Sequence, residues 1–301
     1  MPELDYFVVD VFTDTPLTGN PLAVVMNTCA LATERMQAIA REFNLSETTF
    51  VERRPLEVER AEGVRVRIFT PREELPFAGH PTLGTAGVLK REFVQGDTVT
   101  LALNVGPVPV RFEQRAGGAG SLFGEMTQRD PEFGAELDRE VVARLAGLSA
   151  DDLDPTLPPQ VVSTGTAFAI VVLRTAQALE RLKVNQDDAT AWLRERGARW
   201  FYVLAPEPSQ NQDDTKYGYL ARMQFYGAED PATGSAAGCA ISYLVARGAV
   251  PSAARVHLRQ GIQIGRPSDL FLSAKKDSSK VTDVLVAGSI VLVAKGQLFL
   301  P

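Results

Sequence analysis

Two short stretches concentrate residues able to do polar chemistry at the start of an unusual kind of segment. Gly79-His80-Pro81 opens a run of small uncharged residues, and Asp230-Pro-Ala-Thr-Gly-Ser235 opens another. The first turn of a helix carries backbone N–H groups with no partner in the helix and the positive end of its dipole, which suits a carboxylate or phosphate. Glycine lets a ligand approach the backbone closely. Histidine, aspartate and hydroxyl groups supply polar contacts beside it. The residues alone also fit a plainer account, in which Ser235 and Asp230 cap a helix and His80 is a satisfied core histidine.

The scarcer residue types exclude several chemistries. The two cysteines, Cys29 and Cys239, and the two histidines, His80 and His257, fall at no metal-ligand spacing, so a metal site and a disulfide framework are not expected. Neither GxGxxG nor GxxxxGK[ST] occurs, which removes a nucleotide loop. The 31 Lys and Arg against 37 Asp and Glu leave a net charge of -6, so nucleic acid is not an expected partner. The first residues are acidic and lead into a strand-like run, and no uncharged apolar run nears the ~18 residues of a membrane span. The expectation is a cytoplasmic protein with no secretory signal and no membrane partner.

The elements that must position these residues follow from periodicity. Strand-like runs fall at 6–12, 21–26, 48–51, 64–69, 98–103 and 108–112, with an amphipathic helix at 33–43. Beyond them, a helix over 137–148 precedes strand-like runs at 167–173, 200–204, 220–225 and several after Arg255. The charges near Asp187, Asp188, Arg194 and Arg196 read as the solvated face of a helix, and 207–216 as an exposed loop. The runs 80–89 and 235–246 are rich in Gly and Ala and carry no formal charge when His80 is neutral. A helix without a polar stripe must be surrounded.

An offset of 155 residues pairs Arg67 with Arg222, Glu74 with Glu229, Pro76 with Pro231, Gly79 with Gly234 and Leu89 with Leu244. Both windows read strand, Glu-x-Pro-x-x-Gly turn, then uncharged helix. The chain of 301 residues is long enough for about two domains. The expected fold is α+β, with two pseudo-symmetric halves, each a curved, mostly antiparallel, barrel-like sheet around a central buried helix. The glycine-rich segment 115–120 is the best linker, giving an N-terminal half over 1–118, completed by a last strand at about 288–301, and a C-terminal half over 119–287. Their seam, at the two helix starts, is the expected cleft.

Five stretches together resemble the signature segments of the PhzF-like phenazine-biosynthesis family, in that family's order and over almost the whole chain. They are Gly19-Asn-Pro-Leu-Ala-Val24, Asn44-Leu-Ser-Glu-Thr-Thr-Phe-Val51, Glu74-Leu-Pro-Phe-Ala-Gly-His-Pro81, Glu229-Asp-Pro-Ala-Thr-Gly-Ser-Ala236 and Gly265-Arg-Pro-Ser268. The resemblance implies a fold related to diaminopimelate epimerase, cofactor-free isomerisation by proton transfer, and commonly a homodimer. The family's characterised substrate is a small carboxylate, trans-2,3-dihydro-3-hydroxyanthranilate, in which a glutamate moves a proton between ring carbons. Glu47 matches that glutamate, and His80, Asp230 and Ser235 match the other polar catalytic positions. Gly79, Gly234, Thr233 and Asn20 stand as substrate-binding residues, Asn20 with a turn-supporting role as its alternative.

A carboxylate with that task needs a pKa raised toward neutrality, which burial beside Leu45 and Phe50 would give; otherwise Glu47 is a turn residue entering a strand. Relatives of this fold that work as racemases use two facing thiols. Here Cys239 lies one turn inside its helix and Cys29 lies elsewhere, which disfavours that mechanism. His257 reads as a sheet-surface residue, and Gly261, Gly265 and Arg266 as a turn, with Arg266 a contact for an anion or a structural residue. A carboxylate-binding or regulatory protein of the same fold, without turnover, is the alternative to an enzyme.

Overall fold

The computed structural model describes residues 3–113, 120–207, 217–225 and 227–300. The chain divides into two compact units, residues 1–127 with 287–301, and residues 128–286. Most of the linker segment 115–120 and of the polar stretch 207–216 lies outside the described residues.

The first unit contains β1 (Glu3–Val11), β2 (Asn20–Val25), α1 (Thr33–Phe43), β3 (Glu47–Glu52), α2 (Leu56–Glu62), β4 (Val64–Phe69), β5 (Glu74–Leu75), α3 (Gly79–Glu92), β6 (Thr98–Leu103), β7 (Gly106–Glu113) and β8 (Ser121–Thr127). The second contains β9 (Glu132–Glu136), α4 (Arg139–Leu145), β10 (Gln160–Ser163), β11 (Ala167–Val172), α5 (Ala176–Glu180), α6 (Gln186–Arg194), β12 (Trp200–Pro206), β13 (Tyr217–Arg222), β14 (Gln224–Phe225), β15 (Ala228–Glu229), α7 (Gly234–Ala246), β16 (Val256–Gln260) and β17 (Ser268–Asp277). The last strand, β18 (Lys280–Phe299), serves the second unit up to Val286 and the first from Ala287 onward. The division falls after β8, past the glycine-rich segment, because β8 pairs along β7 from Val110–Met126 to Glu113–Phe123.

In the first unit the strand order β1-β2-β3-β4-β6-β7-β8-β18 closes on itself through pairing of β1 with β18. Eight strands closed in this way leave an interior wide enough to be filled by side chains. Here α3 lies against β1, β2, β3, β6, β7 and β8, and its residues from Gly79 to Leu89 are all buried. Its composition follows from that position. A Cβ on Gly84 would stand 2.7 Å from Leu22 Cδ2 and 2.7 Å from Val11 Cγ2, so a bare backbone lets β1 and β2 close on the helix. Outside the closed sheet, Met36, Ile39 and Ala40 of α1 bury against Leu4, Val25, Phe50 and Phe69.

The pairings are mostly antiparallel, as expected, with β2–β3 and β4–β6 parallel. Parallel neighbours need a crossover connection, and α1 and α3 are those crossovers. The second unit orders its strands β18-β17-β16-β13-β12-β11-β10-β9, with β11–β12 and β13–β16 parallel. Helix α7 is the crossover from β13 to β16 and is buried from Gly234 to Val245 against β10, β11 and β17. Helices α4, α5 and α6 cover another face, packing Val142, Leu179 and Leu193 on Val171, Phe201 and Val203.

The strand-like run 220–225 is broken in the structure. β13 ends at Arg222, and Gln224–Phe225 turns away to pair with Ala228–Glu229 in a separate two-stranded ribbon. The break lets Arg222 reach back to Glu229. Its guanidinium donates to that carboxylate at 2.9 and 2.6 Å, and to the carbonyls of Leu179 and Glu180 at 2.9 and 3.0 Å. In the first unit Arg67 makes the same forked contact with Glu74, at 2.9 and 2.6 Å. The charges shared by the two windows of the repeat are thus ion-pair partners, each pair fixing the chain shortly before a buried helix begins.

Candidate active site

In the first unit the polar residues converge on the start of α3. Glu47 is the first residue of β3, in register with Leu22 of the parallel neighbour β2. Side chains alternate along a strand, so Glu47 shares a face with Thr49. That face looks onto α3, since Thr49 Oγ1 lies 2.8 Å from Thr85 Oγ1. Glu47 is buried, 8% exposed, and its Oε2 lies 3.5 Å from His80 Nδ1. Asn20, the first residue of β2, places its Nδ2 3.2 Å from the same ring nitrogen. Three sequence-expected residues, Asn20, Glu47 and His80, therefore form one buried group, with Gly79 at the first position of the helix.

Burial dominates the state of the histidine. It drives the His80 pKa down to about 3, with the Pro21 backbone acting more weakly in the opposite direction. The ring is therefore neutral at ordinary pH, and its approach to Glu47 is a contact between a carboxyl group and an uncharged imidazole. A neutral imidazole offers one donor and one acceptor nitrogen. With Nδ1 engaged, Nε2 is buried without a hydrogen-bond partner. Asp10, also buried, accepts the Leu17 N–H at 2.6 Å and pins the loop that leads to Asn20.

In the second unit the polar residues gather before α7. Asp230, Thr233 and Ser235 are all buried. Helix α7 begins at Gly234 with Thr233 as its N-cap residue, and the Thr233 side chain makes no cap hydrogen bond. Instead the Thr233 hydroxyl donates to Asp230 Oδ2 at 2.6 Å. Gln260, at the end of β16, bonds to both the Asp230 carbonyl and the Thr233 amide. The adjoining turn is a short 3-10 segment between Gly261 and Gly265, both left-handed. A Cβ on Gly261 would meet the Arg266 carbonyl at 2.2 Å and the Pro231 carbonyl at 2.6 Å, so this turn packs its bare backbone under the Asp230 loop. The Arg266 amide closes the turn on the Gly261 carbonyl at 3.0 Å.

The cysteines stand apart from these groups. Cys239 is fully buried, its sulfur 3.5 Å from Thr164 Oγ1, and burial pushes its thiol up to about 11. It stays protonated at neutral pH. Cys29 is exposed and contacts the Arg53 carbonyl. His257 sits on the sheet surface, stacked on Phe271 and 2.8 Å from Asp269 Oδ1. Among the described residues no group of three or more His, Cys, Asp and Glu is placed to hold a metal ion, and no helix is long and apolar enough to cross a membrane. Sequence reasoning missed Gln260 and Asp10. A glutamine directly before the Gly261 turn was the available signal for the first.

The family model for phenazine biosynthesis-like protein matches residues 9–296. The trans-2,3-dihydro-3-hydroxyanthranilate isomerase of Pseudomonas aeruginosa is 34% identical, over 98% of this chain and 99% of its own. Among solved structures, a protein described as a "Predicted Epimerase" from Pseudomonas aeruginosa is 35% identical with a TM-score of 0.83, covering 99% of this chain and 100% of that one. A PhzF-family phenazine biosynthesis protein of Bacillus anthracis is 27% identical with a TM-score of 0.84, covering 100% of both. Likeness that spans the chain from end to end in sequence and in structure makes it a member of the PhzF/PhzC phenazine-biosynthesis-like family, and an isomerase of that type.

Proposed function

We propose that the protein moves a proton between carbons of a small cyclic carboxylate resembling trans-2,3-dihydro-3-hydroxyanthranilate, with Glu47 as the acid and base and no cofactor. The observation that carries this reading is the buried Glu47 carboxylate facing an uncharged His80 beside the first turn of α3. Glu47 takes a proton from an acidic ring carbon and becomes a carboxylic acid. The electron pair left behind spreads into the conjugated ring and its carboxylate. Glu47 then returns the proton to a second ring carbon, so atoms and charge balance with no other reactant. The N–H groups of the α3 first turn favour the negative charge that develops. His80 Nε2, buried and without a hydrogen-bond partner, is proposed to meet a polar group of the bound substrate. Asn20 holds the ring's other nitrogen, and Gly79, at the first position of α3, is proposed to let a ligand approach the backbone.

Asp230 and Ser235 are proposed as substrate-facing groups of the second unit, with Gly234 lining the start of α7 and Thr233 acting through Asp230. The two units are proposed to be copies of one architecture, a reading supported by the matching forks Arg67–Glu74 and Arg222–Glu229. The reading also carries a homodimer, which sedimentation equilibrium tests.

The test of function is incubation of the protein in D2O with trans-2,3-dihydro-3-hydroxyanthranilate and related cyclic carboxylates, followed by NMR. Isomerised product is expected. Tight binding with no proton exchange at any carbon would instead describe a carboxylate-binding protein.

A further inference from the structure

One chain of buried hydrogen bonds ends on the Asp230 carboxylate, and it starts from Tyr202, outside the site described so far. Gln260 is fully buried. Its amide has two acceptor lone pairs and two donor hydrogens, and all four are used. Oε1 accepts from the Tyr202 hydroxyl at 2.9 Å and from the Thr233 N–H at 3.1 Å. Nε2 donates to the Asp230 carbonyl at 2.9 Å and to Thr233 Oγ1 at 2.9 Å. The reversed amide would set its NH2 against a backbone N–H and its oxygen against a carbonyl, so the environment dictates one orientation.

That orientation decides where the Thr233 proton goes. Having accepted from Gln260, the Thr233 hydroxyl has one hydrogen to give. Asp230 Oδ2 at 2.6 Å is nearer than Met223 Sδ at 3.2 Å, and a carboxylate is the stronger acceptor. Tyr202, fully buried on β12, keeps its phenol protonated because burial raises its pKa well above the ordinary value, so it remains the donor at the head of the chain.

We propose that Gln260, oriented by Tyr202, is a positioning residue that directs the Thr233 hydroxyl onto Asp230 and so fixes the rotation of that carboxylate. Gln260 holds the 230–233 loop at three atoms and the carboxylate at one remove, so both the loop and its side chain are set by a single amide. The inference deepens the proposed function and rests on its placing of Asp230 among the substrate-facing residues.

The test combines kinetics with crystallography. Thr233→Val removes only the hydroxyl. It is expected to lower kcat by about 10- to 100-fold, the scale of a misplaced catalytic group, with KM changed less than about threefold. Thr233→Ser restores the donor and the rate. Tyr202→Phe, which removes a single bond to Gln260, gives a smaller loss in kcat and serves if Thr233→Val does not fold. Crystal structures of the same variants are expected to show the Asp230 carboxylate turned from its wild-type rotamer. An unchanged rotamer in Thr233→Val and Tyr202→Phe overturns the inference, as does wild-type kcat in both. If the wild type turns over no carboxylate, the functional reading fails, and the rotamers alone still decide the positioning role.

Discussion

His80 links the site to the acid stability of the fold. Its pKa of about 3 in the folded protein compares with 6.5 for an unperturbed side chain. Between these values the unfolded chain binds a proton that the folded protein refuses. The stabilisation is therefore complete above about pH 6.5 and is lost progressively as the pH falls toward 3. At pH 5 the unfolded chain carries that proton about 30-fold in excess of the neutral form, which amounts to about 2 kcal/mol lost relative to pH 8. The figure barely depends on the folded value as long as that value stays below about 4. The perturbation is His80→Gln, which keeps a neutral polar group and removes the titration. Urea unfolding followed by circular dichroism at pH 8 and pH 5 gives the stability change for each protein. Contributions of carboxylates remote from residue 80 are common to both and cancel in the difference. The wild type should lose about 2 kcal/mol more than His80→Gln over this range. Equal losses would refute the reasoning, as would an NMR titration of the His80 ring with a midpoint near 6.5.

Three further outcomes are expected. Gly261→Ala places a Cβ at φ +78° against the Arg266 carbonyl, and should cost about 2–4 kcal/mol of unfolding free energy and lower activity through the Pro231 contact. Glu229→Leu leaves the buried Arg222 guanidinium without its carboxylate and should cost about 3–5 kcal/mol by chemical denaturation, whereas Glu229→Gln, which keeps one acceptor, should cost less. Cys239→Ala and Cys29→Ser should retain activity within a few-fold in a direct turnover assay, because the buried thiol stays protonated and neither sulfur lies in the Glu47 group.

The elements that carry the site were legible because their reasons are local. Two helices without charge had to be surrounded, and α3 and α7 are buried along nearly their whole length. The Arg and Glu of the repeat read only as identities, yet they are forked ion pairs, which no periodicity reveals. The run 220–225 looked continuous because each of its residues suits a strand. The break accompanies contacts that no strand pattern shows, of Arg222 with Glu229 and with the end of α5. The bond from the Thr233 hydroxyl to Asp230 was not legible, because it depends on how the 230–233 loop folds back on itself. Gln260 was hidden for a related reason. A glutamine ending an alternating strand resembles a solvent-facing residue until the four groups it satisfies are brought round it by the fold.

The central claim is that Glu47 carries the proton. It is tested most directly by comparing wild type with Glu47→Gln in D2O, following isomerisation and deuterium uptake at the ring carbons, with carboxylate affinity measured separately. The account predicts near-normal binding by Glu47→Gln with the proton-transfer rate lowered by about 10²- to 10⁴-fold, the usual contribution of a positioned acid–base group. Proton transfer at the wild-type rate in a variant that binds normally would contradict it.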